Sequence, residues 1–250
     1  MGIRGMGGSV TYDVTHHLGR EIIGGAYPPG AILPNEAEIC VQFDVGRSAV
    51  REAVKMLAAK GLVDSRPGRG TQVLPSQGWN FFDRDVLMWL REGNTQPDII
   101  VELLQLRIGV EPTAAELAAE KGTDEQIAMI ARAYDQMCVA ANGRLDPVAA
   151  DGSFHEAIVI ATNNRFFQPF GPLIRTALTV TAPTTNAIFG HSVGDLVAHK
   201  ATLDAIQSRS PERARTCMLD MLEAVLEAVK DWSNKPDSFT RRRRSFVSKP

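Results

Sequence analysis

Residues 45–71 have the sequence VGRSAVREAVKMLAAKGLVDSRPGRGT, which combines an amphipathic helix with a basic turn. At about 100° per residue, one face of the helix is polar or basic, with Arg47, Ser48, Arg51 and Lys55. The opposite face is apolar, with Val50, Ala53 and Leu57, and with Val54 near its edge. Such a helix can dock on a core and lie against phosphates. The stripe alone leaves an ordinary solvated helix face open as the alternative.

The flanking sequence favours the DNA-binding interpretation of this helix. Upstream, Asn35 and Glu38 have the spacing of a capping box at the start of another helix, and Gly46 permits a tight turn between the two. Downstream, residues 62–74 alternate like two short strands around a Gly- and Arg-rich turn. Together these elements predict a winged helix-turn-helix, whose second helix enters the major groove and whose wing reaches the adjacent backbone or minor groove.

Three ordered motifs within residues 10–76 resemble the N-terminal domain of GntR-family bacterial transcription regulators. They are YPPGAILPNE at 27–36, VGRSAVREA at 45–53 and GLVDSRPGRGT at 61–71. The resemblance implies DNA contacts from the start of the recognition helix and the tip of the wing, at Arg47, Ser48, Ala49, Arg51, Gly68 and Arg69. Many members have an Arg after the Glu of the first motif, where this chain has Ala37. One base contact of the family is therefore not implied here.

Length and composition indicate two soluble domains with a locally basic surface. The chain has 250 residues and a net charge of −2, so the basic character of residues 45–71 is local. Cys40, Cys138 and Cys217 lack CxxC spacing, which favours reduced thiols in a cytoplasm over a disulfide scaffold. No run of about 18 apolar residues predicts a transmembrane helix, and no membrane partner is expected.

The predicted domains are a DNA-binding domain at 10–76, a helical effector-binding and dimerisation domain at 77–235, and a basic tail at 236–250. From residue 79 onward the apolar spacing is helical and strand signals nearly vanish, which predicts an antiparallel bundle of six or seven helices. The fold class is therefore mainly α. In the tail, Arg241–Arg244 favours a solvated end over an auxiliary DNA contact.

A candidate site in the helical domain begins with Asp151 and His155. Four residues apart on a predicted helix, they share one face and suit two ligands of a metal. His199 lies on another predicted helix. On spacing alone, an Asp–His hydrogen bond and a structural histidine at position 199 remain equally open.

The helical domain also resembles a known domain, the all-helical FCD ligand-binding domain of the FadR-type branch of the GntR family. The matching motifs are LRIGVEP at 106–112, DGSFH at 151–155 and His199 before LDAI at 203–206. In many members of that branch an Asp or Asn and three His bind a divalent metal, commonly zinc or nickel. The metal and nearby polar groups hold a small carboxylate effector. The resemblance therefore implies Asp151, His155 and His199 as metal ligands.

The fourth ligand position of that branch is Met221 in this chain. A thioether is a poor ligand for zinc or a hard cation. Either the site keeps three protein ligands and leaves positions open for water or an effector carboxylate, or metal affinity is lost and an effector pocket remains.

Other residues complete the implied effector pocket. Arg107 matches a buried Arg that faces the pocket in this branch, and its fork of donors suits a carboxylate. Its alternative role is an ion pair with Glu111 or another acid. Asn163 and Asn164 are candidate pocket or turn residues, with a turn role favoured for at least one. The implied effector-binding set is Arg107, Asp151, His155, His199 and Met221.

The linker GWNFFDRDVLMWL at 78–90 is similar to that of one subgroup of the family, the bacterial repressors of galactonate catabolism. This likeness implies an aldonate sugar acid as the effector. We therefore predict a homodimeric DNA-binding repressor that its effector releases from a palindromic operator, and not an enzyme. The alternatives are a regulator that responds to another carboxylate or acyl compound, and a metal-dependent hydrolase. No clear general base or nucleophile supports the hydrolase.

Overall fold

A computed structural model describes residues 9–66, 68–92, 97–190 and 194–234. The chain divides into two compact units, Met1–Thr95 and Gln96–Pro250. In its described part the first unit contains α1 Val10–Ile23, α2 Glu36–Phe43, α3 Arg47–Ala59, β1 Val63–Arg66, β2 Gly70–Val73 and α4 Arg84–Glu92. The second contains α5 Pro97–Lys121, α6 Asp124–Ala141, α7 Pro147–Ala161, α8 Phe170–Phe189, α9 Leu196–Gln207 and α10 Pro211–Ser233. The predicted mainly helical fold class, a winged helix-turn-helix and a helical bundle, is confirmed.

The helix-turn-helix forms as its sequence predicts. The Asn35 side chain accepts hydrogen bonds from the backbone of Ala37 and Glu38, and the Glu38 carboxylate accepts one from the Asn35 backbone at 2.8 Å. These bonds satisfy amide groups that have no partner inside the helix. On α3 the predicted apolar face is buried, at Val50, Ala53, Val54 and Leu57. The opposite face therefore remains available for a ligand.

The wing is a two-stranded antiparallel hairpin. Its register pairs Val63 with Val73 at the base and Arg66 with Gly70 near the tip. The two valines are buried in the core of the first unit, whereas Arg66 and Gly70 are exposed. At the tip, Gly68 has φ +76°, a left-handed conformation that glycine adopts at little cost. The hairpin thus anchors its base in the core and projects its basic tip.

Helix α4 belongs to the first unit, although the sequence analysis begins the second domain at residue 77. The Trp89 side chain is fully buried, and its indole N–H donates to His16 Nδ1 of α1 at 2.7 Å. The ring covers Gly19, where an added Cβ would come within 2.4 Å of it. Lys60 adds ion pairs of 2.8 Å to Asp83 and 2.7 Å to Asp85. These contacts hold the linker helix on the winged domain.

We expect Asp83→Ala to destabilise the first unit by about 1–2 kcal/mol. Asp83 Oδ1 caps α4 by accepting from the backbone N–H groups of Asp85 at 2.9 Å and Val86 at 3.3 Å, and the carboxylate also binds Lys60. Burial raises the pKa of Asp83, but Lys60 and these amides outweigh it and leave the pKa below its usual value. The stabilisation is therefore present above about pH 4 and is lost as pH falls through the lowered pKa.

Urea unfolding at several pH values tests this expectation. The difference between parent and variant should shrink in acid, because the parent carboxylate then becomes protonated. Asp64→Ala is the matched control, since Asp64 makes an exposed ion pair with Arg66 and should change stability little. A difference that persists unchanged at pH 2 would contradict the assigned role of the carboxylate.

The second unit packs its helices around a main apolar core, and a smaller apolar cluster joins α5 to α10 at Ile100, Leu104, Leu226 and Val229. The fully buried members of the main core include Ile130, Met137, Phe154 and Ile158. Helix α8 continues through a Thr-rich stretch to Phe189. The Thr-rich sequence there has low helix propensity, but burial extends to Thr184, so tertiary packing outweighs propensity.

Asn163 and Asn164, which were candidate pocket or turn residues, lie in the turn that follows α7. Asn163 has φ +51° and donates to the Lys121 carbonyl at 2.8 Å, while Asn164 accepts from the Phe166 backbone at 3.0 Å. Both are therefore turn residues.

The tail Arg241–Arg244 lies outside the described residues. Among the described helices, none is long and apolar enough to cross a membrane.

Candidate functional site

The residues implied as DNA contacts lie on the exposed part of α3 and at the wing tip. Arg47, Ser48 and Arg51 are exposed on α3, and Gly68 and Arg69 are exposed in the wing. Ala49 is half-buried. The cap residue of α3, Gly46, supplies no side-chain hydrogen bond, so the first amide groups of the helix remain available to a phosphate.

Acidic side chains pair with several of the basic groups on this surface. Arg51 Nε donates to both carboxylate oxygens of Glu36, at 2.9 and 3.1 Å. Arg66 pairs with Asp64 at 2.6 Å within the wing. Among the described residues Arg47 forms no ion pair. The contact between Arg51 and Glu36 was not predictable from the sequence, because it joins side chains of two helices, α3 and α2, that meet only in the folded unit.

The three implied metal ligands converge in the second unit. Asp151 Oδ1 lies 3.3 Å from His155 Nε2 and 3.0 Å from His199 Nε2, and the two Nε2 atoms are 3.2 Å apart. A tetrahedral zinc with bonds of about 2.0–2.1 Å holds its ligand atoms roughly 3.3–3.4 Å apart. The triangle of ligand atoms therefore has the dimensions that a small divalent ion needs.

The outer nitrogens of both imidazoles have acceptors that orient the rings. His199 Nδ1 lies 2.6 Å from the backbone carbonyl of Asp195, and His155 Nδ1 contacts Glu111 Oε2. In the neutral form of each ring, which a bound metal requires, Nδ1–H donates to these oxygens and both Nε2 lone pairs point toward the Asp151 carboxylate. Carboxylate and carbonyl partners of this kind are typical behind metal-binding histidines. Three acceptor atoms facing one another are satisfied by a shared proton or by a cation, so the residues fit a divalent metal.

A chain of buried charges supports this triangle from behind. Arg107 Nε donates to Glu111 Oε1 at 2.5 Å, and Arg107 Nη2 lies 3.3 Å from His155 Nε2. The three side chains are at most 5% exposed. Arg107 thus makes the ion pair that the sequence analysis kept as its alternative role, and it also reaches the candidate metal ligands.

The charges of this chain shift one another's pKa values. Burial raises the pKa of Glu111, but Arg107 and His155 outweigh it and lower the pKa to about 2. Burial lowers the pKa of His155, but mainly the Glu111 charge outweighs it and raises the pKa to about 9. Burial likewise opposes ionisation of Asp151, and hydrogen bonds to His155 and His199 hold its pKa far below the usual range. The carboxylates are therefore charged at neutral pH.

A cavity of about 990 Å³ opens on this cluster. Its lining includes the whole implied effector-binding set, namely Arg107, Asp151, His155, His199 and Met221. Further polar side chains lining the cavity are Thr181, Thr185, Asn186, Asp195 and Asp220. These residues were not predictable from the sequence, because none of them stands in a recognisable motif and the helices that carry them meet only in the folded unit.

Backbone also covers the cluster. Gly194 lies so close that an added Cβ would be 2.7 Å from His199 Cε1 and 3.5 Å from Asp151 Oδ1. The adjacent Asp195 caps α9 by accepting from the backbone of Val197 at 2.8 Å, and its carbonyl is the oxygen that meets His199 Nδ1. In the sequence, the position of Gly194 directly before the capping residue Asp195 was the only indication that this segment lies against the cluster.

Comparison with known proteins gives matches in both units. Residues 11–73 match the family of bacterial regulatory proteins, gntR family, and residues 102–224 match the FCD domain. The chain is 32% identical to the galactonate operon transcriptional repressor of Escherichia coli K12, over 86% of this chain and 94% of that protein. It is 37% identical to the HTH-type transcriptional regulator YieP of the same strain, over 84% of this chain and 91% of that protein.

Among solved structures, the chain is similar to Streptococcus agalactiae GntR, with 27% identity and a TM-score of 0.47 over 87% of this chain and 99% of that one. The family of the chain rests on the sequence matches, which span both units. Both matched families and both relatives are transcription regulators, so the hydrolase alternative is set aside. The chain belongs to the GntR family of bacterial transcription regulators, in the FadR-type branch whose helical ligand-binding domain is the FCD domain.

Proposed function

We propose that this regulator is a repressor that binds a palindromic operator as a homodimer and leaves it when a sugar acid enters the helical unit. The cavity beside Arg107 and the Asp151–His155–His199 cluster carries the proposal. A buried guanidinium suits a carboxylate, and a cavity of this volume accommodates a small acid.

The proposed cofactor is a divalent metal, zinc or nickel, held by Asp151, His155 and His199. The converging acceptor atoms and the oriented imidazoles support these ligands. Three protein ligands would leave coordination positions for oxygen atoms of the effector. Arg107, next to His155, would then hold the same carboxylate through its Nη1 group, which has no hydrogen-bond partner among the described residues.

The class of effector follows from the rest of the lining and from a relative. Thr181, Thr185 and Asn186 offer hydrogen bonds that hydroxyl groups of a sugar acid can use. The relative of 32% identity is named for a galactonate operon, which supports an aldonate. Small differences in such a pocket are enough to change the preferred sugar acid.

The regulation requires two states of the dimer. A ligand shifts such an equilibrium only through its differential affinity for the two states. The sugar acid must therefore bind the form that does not fit the operator more tightly than the form that does. By the same linkage, operator DNA must weaken sugar-acid binding by the same factor.

The test is fluorescence anisotropy with operator DNA selected by the protein from a random pool, with and without galactonate, at two salt concentrations. We expect tight, salt-sensitive binding that galactonate abolishes. Binding that galactonate and a panel of other sugar acids all leave unchanged would refute the proposed effector class. Galactonate that tightens operator binding would refute release as the mode of regulation.

We expect Arg47→Ala to weaken operator binding by about 1–3 kcal/mol while leaving effector binding unchanged. Arg47 is the first residue of α3, is exposed, and lies in the unit that does not hold the cavity. Anisotropy would measure the operator affinity, and calorimetry with galactonate would measure effector binding. Equal operator affinity of parent and variant would remove Arg47 from the interface.

A further inference from the structure

The ion pair between Arg51 and Glu36 lies on the exposed surface of the winged unit. Arg51 and Glu36 keep 62% and 43% of their side chains exposed, and pairs this exposed contribute little to stability. Glu36 also brings a negative charge to the surface implied to meet phosphates, which opposes DNA binding. A stabilising or an electrostatic role therefore does not account for the contact.

The geometry of the contact points to orientation of the guanidinium. Both Glu36 oxygens accept from the single Nε of Arg51, at 2.9 and 3.1 Å. Among the described residues, the two Nη groups of Arg51 have no partner. Those groups form a planar fork, and a planar fork of two donors matches the O6 and N7 acceptors of guanine in the major groove.

The support behind Glu36 makes the orientation rigid. Glu36 is the first residue of α2, directly after Asn35. The capping box formed by Asn35 and Glu38 fixes this end of the helix. Glu38 is occupied in that box, so Glu36 is the acid of this turn that reaches α3. A guanidinium held before binding loses less side-chain freedom when the complex forms.

We propose that Glu36 is a positioning residue for operator recognition, which fixes Arg51 so that its Nη groups face a guanine. The inference rests on the proposed contact between Arg51 and the operator. It adds a source of base specificity within a surface where Ala37 replaces the Arg of many relatives. With that side chain absent, discrimination depends more strongly on the orientation of Arg51.

Removing an acid from a DNA-binding surface normally tightens DNA binding, because it removes repulsion from the phosphates. For Glu36 the proposal predicts the opposite, a loss of operator affinity. Glu36→Ala should weaken binding to the selected operator about tenfold, while binding to scrambled DNA of equal length stays equal or tightens. The matched control is Glu52→Ala, which removes an exposed acid of α3 that pairs with Lys55 at 3.4 Å. That variant should bind both DNAs equally well or more tightly. Glu36→Gln, which keeps an acceptor oxygen, should lie between the parent and Glu36→Ala.

A double-mutant cycle with Arg51→Ala separates the two roles. Arg51→Ala should lose operator affinity, and adding Glu36→Ala to it should cause no further loss. The proposal is overturned if Glu36→Ala behaves like Glu52→Ala while Arg51→Ala still loses affinity. If Arg51→Ala itself leaves operator affinity unchanged, the assigned DNA contact fails, and the role of Glu36 fails with it. Circular dichroism and melting temperatures of each variant would establish that the winged unit remains folded.

Discussion

Replacing Glu111 by Ala is expected to destabilise the helical unit by about 3–5 kcal/mol. Glu111 is 1% exposed and lies between Arg107, at 4%, and His155, at 2%. Removal of its carboxylate leaves the largely buried guanidinium without its counter-ion, and an uncompensated buried charge is costly. His155 also loses the acceptor of its Nδ1 atom.

The measurement is urea unfolding of the full chain, with hydrogen exchange of the α5 and α7 amides to resolve the helical unit. Glu116→Ala is the matched control on the same helix, because Glu116 pairs with Arg215 in an exposed contact of 2.9 Å. That control should lose less than about 1 kcal/mol. A loss of similar size for both variants would show that the Glu111 carboxylate does not compensate a buried charge.

A double replacement distinguishes the stability of the unit from its function. Arg107→Met combined with Glu111→Leu removes both charges and preserves apolar volume, so most of the stability should return. Effector binding should not return, since the guanidinium is absent. Recovered stability without effector binding would show that the Arg107–Glu111 pair is not needed for folding. It would identify the pair as part of the effector site.

Local signals carried most of the fold prediction. The apolar stripe of α3 and the capping box at Asn35 depend on residues within a few positions, so the sequence contains all the information needed. The same holds for Asp151 and His155, which four-residue spacing on α7 brings to one side. His199 joined them only through the family resemblance, because no local rule relates α7 to α9.

Contacts between distant segments account for what the sequence analysis missed. The Glu111 contact with His155 requires α5 to pack against α7, so only the ion pair with Arg107, four residues away, was predictable. The attachment of α4 to the winged domain depends on Trp89 filling the space over Gly19. Neither residue carries a pattern that identifies its partner. Long-range packing, rather than propensity, set these features.

Removing one of the three candidate metal ligands should strongly lower the metal affinity of the helical unit. We expect His199→Ala to weaken binding of zinc or nickel at least about a hundredfold, since even loss of an outer-shell partner costs 10–100-fold. Conversely, Met221→His should tighten binding at least about tenfold, because it adds an imidazole at the lining position that the family resemblance implies as the fourth ligand. Competition with a chromophoric chelator measures both affinities.

Met221→Leu is the matched control, because it removes the thioether without adding a ligand. If Met221→Leu binds metal as tightly as the parent, Met221 is not a ligand. If Met221→Leu loses as much metal affinity as His199→Ala, the three-ligand site is contradicted. Operator release by galactonate should fail in His199→Ala. In Met221→His it should need more galactonate, since a fourth protein ligand occupies a coordination position that the effector would otherwise use. Unchanged metal affinity in His199→Ala would remove His199 from the ligand set. No measurable metal binding by the parent would leave the cavity as an effector pocket without a metal.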